Sequence, residues 1–284
     1  MPESLEVIPE IMRKELKLVK NNIIPRLQFM YAHLEVPLAE AGRLAKHTIE
    51  LCGRDRPILS IEKDVREYLE AHGVFRSFDQ KMDFRTLLWY QKIAPHIVGT
   101  TFLDLGGGDG RTAKRVYDER RNSGSIIDPC IADVLDYSDR VRGIPYFQTK
   151  QTTTPFANDS FDIVFVGTVF HHVGKELDDS LELVAEAVRI AKKRLIVVES
   201  VYRDEKERLY TMLIDWFYNR VLRYSAQPDE KVNVPFNFRK PEQWAEEIEK
   251  RGMGITRSND LGIFQILNPE HHWLYVADKT KKGD

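Results

Sequence analysis

The residues best suited to chemistry lie in one glycine-rich stretch, FLDLGGGDGRTA, at positions 102–113. An apolar run stops at Gly106, Gly107 and Gly108, and good helix formers follow, which is typical of a strand, a tight turn and a helix. Glycine permits a positive φ and lets a ligand approach where a Cβ would clash. The free N–H groups at the start of the helix face the same gap. The stretch therefore predicts a loop that binds a nucleotide or a nucleotide-like cofactor.

Two cofactor classes compete for this loop. Residues 108–113 fit G-x-G-x-x-A, the fingerprint of a dinucleotide-binding turn, although this match alone is weak evidence. The same stretch places Asp104 ahead of glycines at every second position, namely Gly106, Gly108 and Gly110. A dinucleotide needs the helix terminus against its pyrophosphate, whereas S-adenosylmethionine (SAM) has no phosphate and carries a sulfonium that an acid would suit. Asp104 therefore favours SAM.

Three segments together resemble the class I SAM-dependent methyltransferases. The acid and the alternating glycines resemble the opening motif of that family. The segment TTTPFANDSFDIVFVGTVFHHV, at 152–173, resembles the family's segment before and along its fourth strand, and EAVRIAKKRLIVVES, at 186–200, is similar to the helix and strand that follow. The resemblance extends over roughly residues 83–199 and implies an α/β fold with a doubly wound, mostly parallel, seven-stranded sheet.

The resemblance also implies where SAM, and its product S-adenosylhomocysteine, would be held. Residues of the glycine stretch would surround the methionine part of the cofactor, and residues after the fourth strand would lie near the sulfonium. The first group comprises Asp104, Gly106, Gly107 and Gly108, and the second comprises Gly167 and Val169.

An acid at the end of the second strand is expected to bind the ribose, because a carboxylate can accept hydrogen bonds from both hydroxyls. Asp133 is the first choice, and Asp136 and Asp128 are its rivals because a proline obscures the edges of this strand. Capping of a turn is the alternative role for Asp133. Where many relatives carry an acid beside the adenine, this chain has Lys150 and Gln151. The adenine contact is therefore expected from the backbone of Gln151.

Histidines beside the fourth strand could serve methyl transfer, in which acceptor and methyl are held in line and a hydroxyl acceptor loses a proton. His171 and His172 are both candidates for the catalytic base, and a purely structural role is the alternative. Adjacent histidines do not share a helix face, so no metal site is expected. Glu199, at the end of the fifth strand, is expected to contact the acceptor or a basic group. His271 and His272 lie in a predicted terminal hairpin that could reach the mouth of the pocket, but they are expected to be solvent-facing turn residues.

The elements that position these residues follow from hydrophobic periodicity. Up to about residue 98 the pattern is helical, with a last helix at roughly 83–96, and from residue 101 strands alternate with helices, which indicates a parallel sheet covered by helices. The predicted strands are 101–105, 130–135, 161–166, 195–199, 261–267 and 273–277. The predicted helices of this part are 111–121, 176–191, 205–223 and one that begins at Pro241 and ends at Gly252.

The chain is expected to divide into a helical N-terminal cap, residues 1–95, and a SAM-binding domain, residues 96–284, with a helical insertion at about 203–240. Both helical additions carry wide apolar stripes. We expect them to cover the cofactor and build the acceptor pocket, because the bare core would leave SAM open to water. The alternative is that the N-terminal helices form a homodimer interface.

Composition bounds the remaining functions. The 284 residues are 42% hydrophobic and 30% charged with a net charge of −2, so broad attraction to nucleic acids or anionic membranes is not expected. Cys52 and Cys130 are too few for a disulfide framework or a cysteine-based zinc site. No apolar stretch is long enough to span a membrane, and the N-terminus lacks the apolar core of a signal peptide, which predicts a cytoplasmic protein.

The predicted function is SAM-dependent methyl transfer to a small organic acceptor, at an oxygen, nitrogen or carbon nucleophile, by a monomer or a homodimer. One alternative is a SAM-binding regulatory or scaffold protein that lacks catalysis. Another is methylation of a protein or an RNA, although the near-neutral charge argues against RNA. Transfer of label from SAM to a metabolite extract separates the enzyme from the binding protein.

Overall fold

The computed structural model of the chain describes residues 7–15, 18–139, 143–174, 177–223, 234–265 and 267–280. The chain divides into two compact units, each built from separated stretches of sequence. Unit 1 comprises Met1–Arg85, Tyr202–Phe236 and Ile263–His271, and unit 2 comprises Thr86–Val201, Asn237–Gly262 and His272–Asp284. Within the described ranges, no helix combines the length and the apolar character that a membrane span requires.

Helices make up the secondary structure of unit 1 and alternate with strands in unit 2. The helices are α1 (Val7–Lys14), α2 (Ile24–His33), α3 (Leu38–Cys52), α4 (Ile58–Ala71), α5 (Phe78–Ile93), α6 (Arg111–Asn122), α7 (Leu177–Ile190), α8 (Glu205–Trp216) and α9 (Pro241–Lys250). Prolines mark several starts, since Pro37 and Pro57 directly precede α3 and α4, and Pro241 opens α9. A π-helical segment, Phe217–Leu222, continues α8, so the helix predicted at 205–223 is present with a change of hydrogen bonding near its end.

The described part of unit 2 contains one seven-stranded sheet. Its strands are β1 (Thr101–Leu105), β2 (Asp128–Asp133), β3 (Tyr146–Gln148), β4 (Phe161–Gly167), β5 (Ala191–Ser200), β6 (Met253–Gly262) and β7 (His272–Lys279). Their order is β3-β2-β1-β4-β5-β7-β6. Strands β1 to β5 pair in parallel, whereas β7 is antiparallel to both β5 and β6. This topology confirms the predicted doubly wound, mostly parallel sheet.

The centre of the sheet is apolar on both faces. On one face of β1 and β4, Leu103, Leu105, Val164 and Val166 are buried, and on the other face the buried residues are Phe102, Ile163 and Phe165. Parallel strands covered by helices on both sides need such continuous apolar sequences. Because parallel strands share their direction, the carboxyl ends of β1, β2, β4 and β5 meet at one edge of the sheet, and the loops that carry the predicted site residues begin there.

The strand predictions were wrong for β2, β3 and β6. The second strand is Asp128–Asp133 rather than 130–135, because it starts before its proline and ends at the acid. Strand β3 was not predicted, since it is short and its residues are partly or fully exposed. Strand β6 is Met253–Gly262 rather than 261–267. It is an edge strand with mostly exposed or half-exposed residues, so it lacks the apolar run by which buried strands are recognised.

Unit 1 contains a buried ion pair that joins its separate stretches of sequence. Glu62 of α4 is 1% exposed, and its carboxylate accepts hydrogen bonds from the indole of Trp216 at 2.9 Å and from the guanidinium of Arg220 at 3.2 and 3.0 Å. Within the same unit, the ring of Tyr31 lies edge-on to that of Phe217, with centroids 6.2 Å apart. The N-terminal helices and the segment from 202 onward therefore share one interior.

Candidate active site

The glycine loop joins β1 to α6. Because glycine has no side chain, the surface of this loop is formed mainly by backbone atoms. The amides of Gly106 and Gly107 donate to the carbonyl of Ala132 at 2.7 and 3.4 Å, which ties the loop to the end of β2. Gly106, Gly108 and Gly110 have φ values of 75°, 54° and 73°, in the left-handed region that side chains with a Cβ rarely adopt. The predicted cofactor loop therefore has the local geometry that its sequence indicated.

Two of the predicted cofactor residues from different segments touch each other. A Cβ placed on Gly106 would lie 2.5 Å from Cγ2 of Val169, which follows β4. A Cβ on Gly107 would lie 2.7 Å from Cγ of Asp104. Glycine is thus required here by close approach as well as by φ, and the glycine loop lies directly against the turn after β4.

Asp104 lies inside the loop rather than on its surface. It is 2% exposed, and its Oδ2 accepts a hydrogen bond from the amide of Ala113, in the first turn of α6, at 3.2 Å. Burial raises the pKa of Asp104 to about 7, and the nearby carboxylates of Asp133 and Asp109 act in the same direction. The side chain holds the loop to the helix, and its contact with SAM stays a prediction.

Among the three candidate ribose acids, Asp133 has the best placement. It is the last residue of β2, and its carboxylate accepts from the amide of Gly108 at 2.9 Å and from that of Leu135 at 3.0 Å. Asp128 lies at the opposite end of the strand, and Asp136 is exposed with its carboxylate turned to the amide of Ser138. The ribose role of Asp133 remains a prediction, supported by its hydrogen bond from the loop residue Gly108.

The charge around the loop suits a cation better than a phosphate. Asp104 interacts through space with both Asp133 and Asp109, and Asp109 also forms an ion pair with Arg111 at 2.7 Å. Clustered carboxylates repel a pyrophosphate and attract a sulfonium or an ammonium group. The residues of the loop therefore fit SAM.

Gln151 follows β3 and is exposed. Nearby, the amide of Thr149 donates to the carbonyl of Asp133 at 2.8 Å, which brings this segment to the end of β2. The next stretch is held by α7: Glu186 accepts from the amide of Thr154 at 2.7 Å, and Arg189 donates to the carbonyl of Phe156 at 2.8 Å. The two downstream segments of the family resemblance are therefore in direct contact with each other.

The end of β4 makes an abrupt turn. Gly167 closes the strand, and a Cβ there would lie 2.7 Å from the ring of Trp89 and 2.9 Å from that of Phe165. Thr168 has a φ of 53°, a strained value for a β-branched residue, and its amide donates to the carbonyl of Val198 at 2.7 Å. This turn leads into a 3-10 segment, Phe170–His172, that carries the histidine pair.

Glu199 is the buried centre of this turn. It is 0% exposed, and its Oε1 accepts from the amides of Val169 at 2.9 Å and Phe170 at 2.7 Å. Its Oε2 lies 2.6 Å from Nδ1 of His171. Of the two expected contacts of Glu199, the structure provides the one with a basic group. Sequence reasoning missed this pair because its members lie on different strand ends, 28 residues apart.

The two histidines have different surroundings. His171 is 1% exposed, and its ring stacks on that of Phe238, with centroids 4.6 Å apart and planes at 26°. His172 is half-buried, and its ring centroid lies 4.1 Å from that of His171. The side-chain amide of Asn237 donates to the carbonyl of Val173 at 2.9 Å and secures the turn. Their catalytic role remains a prediction.

The expectation that His271 and His272 face solvent was wrong. They are 4% and 0% exposed. His272 begins β7, an inner strand, and lies opposite Ser200 of β5, whereas Nδ1 of His271 lies 3.0 Å from the carboxylate of Glu207 within unit 1. The sequence NPEHH was interpreted as a hairpin turn because the preceding strand was predicted to end at residue 267. In the structure β6 already ends at Gly262.

Comparison with known proteins agrees with this geometry. Residues 103–198 match the family model described as methyltransferase domain. The sequence has no match among curated proteins.

Three solved structures show the same fold at low identity. A SAM-dependent methyltransferase from Methanosarcina mazei is 13% identical with a TM-score of 0.52, covering 68% of this chain and 99% of that one. One from Thermotoga maritima is 18% identical with a TM-score of 0.50, covering 77% and 98%. A Haloferax volcanii methyltransferase, in complex with the Trm112 methyltransferase activator, is 16% identical with a TM-score of 0.50, covering 78% and 99%. Residues 103–198 therefore match a methyltransferase domain, and the chain shares the fold of these SAM-dependent methyltransferases.

Proposed function

We propose that the protein transfers the methyl group of SAM to a small organic acceptor, at an oxygen, nitrogen or carbon nucleophile. The observation that supports this most is the contact between the glycine loop and the turn after β4. Gly106 lies against Val169, and His171 and His172 follow in the same turn. A cofactor seated in the loop would therefore have a proton-accepting group close to its reactive end.

The chain's own residues divide the work of binding. The loop glycines leave room for the methionine part, Asp133 is proposed to bind the ribose hydroxyls, and the backbone of Gln151 is proposed to contact the adenine. When bound, SAM supplies an activated methyl group on a positively charged sulfur. Asp104, which interacts through space with Asp133 and Asp109, would together with these two acids offset that positive charge.

The turn after β4 would position the reaction. Transfer to a hydroxyl or ammonium acceptor requires loss of a proton, and a histidine is the side chain best suited to accept it near neutral pH. Fixing the acceptor in line with the methyl group would provide much of the remaining acceleration.

A small acceptor is favoured over RNA on charge. A net charge of −2 offers no general attraction to a polyanion, and the acids around the loop oppose one locally. The histidine pair in the turn beside the loop favours a catalytic protein over a regulatory or scaffold protein.

The test uses labelled SAM and a cell extract separated into small molecules, protein and RNA. We expect label in the small-molecule fraction, and mass analysis of the labelled product names the acceptor class. Gly108→Val is the matched control, because a branched side chain at a φ of 54° would occupy cofactor space and abolish SAM binding. Label confined to protein or RNA, or SAM binding by calorimetry with no transfer to any fraction, would reject the small-acceptor proposal.

A further inference from the structure

We propose that Glu199 is a positioning residue that fixes the tautomer and the orientation of His171, and that His171 rather than His172 is the catalytic base. The inference rests on the proposed function, because a base is needed only if the protein transfers methyl groups to a protonated acceptor. The inference depends on one buried cluster within unit 2. This cluster consists of Glu199, His171 and the turn after β4 that carries His171.

The hydrogen bonds of Glu199 define the tautomer of His171. Two backbone amides, those of Val169 and Phe170, donate to its Oε1, which therefore acts as an acceptor. An ionised carboxylate only accepts hydrogen bonds, so Nδ1 of His171, at 2.6 Å from Oε2, must carry the hydrogen. In neutral imidazole the other nitrogen then holds the lone pair. Nε2 of His171 is therefore the basic atom.

The orientation of the ring is fixed as well. The ring of Phe238 stacks against it, and that of His172 lies at 4.1 Å. The backbone amide of Asn237 donates to the carbonyl of His171 at 3.4 Å. A histidine held on one nitrogen by a carboxylate and on its face by an aromatic ring loses little freedom when a substrate binds, which is the arrangement expected of a base.

The proton balance of the step is simple. As the acceptor oxygen bonds to the methyl carbon, its proton passes to Nε2 of His171. The electron pair of the broken carbon–sulfur bond stays on sulfur, which becomes neutral. The imidazolium that forms then lies 2.6 Å from the Glu199 carboxylate, whose negative charge stabilises it.

Glu199→Gln separates positioning from packing. The glutamine oxygen can still accept from the amides of Val169 and Phe170, so the turn is retained. Its NH₂ group would face Nδ1 of His171 and donate to it, which forces the hydrogen onto Nε2 and removes the lone pair that accepts the proton. In serine proteases the equivalent carboxylate-to-amide change lowers the rate through the same reversal of tautomer.

The experiment compares Glu199→Gln with Glu247→Gln, the same substitution on α9, where Glu247 pairs with Arg251. We expect Glu199→Gln to lower the methyl-transfer rate about 100-fold or more while the Kd for SAM changes less than about threefold. The control should leave both values unchanged. Proton–nitrogen correlation spectra of the histidine rings, with the His171 signal assigned by its loss in His171→Gln, should show hydrogen on Nδ1 in the natural protein and on Nε2 in Glu199→Gln.

The base assignment has its own comparison. His171→Gln should reduce the rate about 100-fold, and His172→Gln by less than about tenfold. The proposal is overturned if Glu199→Gln keeps the natural rate, if His172→Gln is the more damaging variant, or if His171 carries its hydrogen on Nε2 in the natural protein. Failure of the natural protein to transfer methyl to any acceptor would instead reject the proposed function, and the spectra of the natural protein would still decide whether Glu199 fixes the tautomer.

Discussion

Asp162, in the SFD part of the fourth-strand segment, has a structural role at the amino end of the sheet. Its carboxylate accepts hydrogen bonds from the amide of Thr100 at 2.9 Å and its hydroxyl at 3.3 Å, and it lies 2.9 Å from Nζ of Lys193. The hydrogen bond from the Thr100 amide and the contact with Lys193 lower the pKa of Asp162 to about 2. Asp162, which is part of the motif that carries the family resemblance, therefore holds Thr100, the residue directly before β1, in place.

We expect Asp162→Asn to destabilise the protein at neutral pH by about 1–2 kcal/mol. Because the folded pKa is lower than the unfolded one, the carboxylate contributes its stability above about pH 4, and this is lost as the pH falls through about 2. Urea unfolding at pH 7 and near pH 2 measures the difference. The exposed Asp136→Asn is the control, and an equal effect of Asp162→Asn at both pH values would contradict the assignment.

Asp133 should matter for cofactor affinity. We expect Asp133→Ala to weaken SAM binding by about 1–3 kcal/mol, because the change removes a charged acceptor and the hydrogen bond that steadies Gly108. Calorimetric titration with SAM measures this. Asp136→Ala should have no effect, and the reverse ranking of the two variants would show that the ribose acid is misplaced.

At the scale of elements, the contact between the glycine loop and the turn after β4 can be tested by a double substitution. Gly106→Ala should weaken SAM binding about tenfold or more, since its Cβ would meet Val169 and its φ is 75°. Adding Val169→Ala removes the clash but not the backbone strain, so the double variant should recover part of the loss. Affinities and melting temperatures of the four proteins in the cycle measure the coupling, and strictly additive effects would refute the contact.

The elements that sequence could predict are those whose signal is local. The bounds of β1 follow from a buried apolar run and a glycine turn, and they are as predicted. Strands β3 and β6 lie at the sheet edges, where exposure removes that signal. The contact between Glu199 and His171 could not be predicted. It depends on β4 and β5 ending side by side in the sheet, which is set by their register. Each residue was identified separately as interesting, and only the parallel register of β4 and β5 brings them together.

At the scale of the whole molecule, unit 1 depends on chain segments far apart in sequence. We expect a chain that begins at Thr86 to aggregate or to bind a hydrophobic dye, because Trp216 and Phe217 would lose the partners that Glu62 and Tyr31 provide. Gel filtration and dye fluorescence measure this against the full chain. A monodisperse product with unchanged SAM affinity would show that residues 1–85 are dispensable. That these helices cover the cofactor stays a prediction, as does the choice between monomer and homodimer.

The division of unit 1 into separated stretches also has a consequence during synthesis on the ribosome. The chain leaves unit 1 after Arg85 and returns to it only at Tyr202. At about 5–20 residues per second, making the intervening stretch takes on the order of ten seconds. During that interval Trp216 and Arg220, the partners of Glu62, have not yet been made, so the Glu62 carboxylate must remain hydrated. The apolar faces of the early helices that pack against the later segment are exposed to water for the same time. The first helices to be made therefore gain their last packing partners late in synthesis, and a chaperone that covers their apolar stripes would act during this interval.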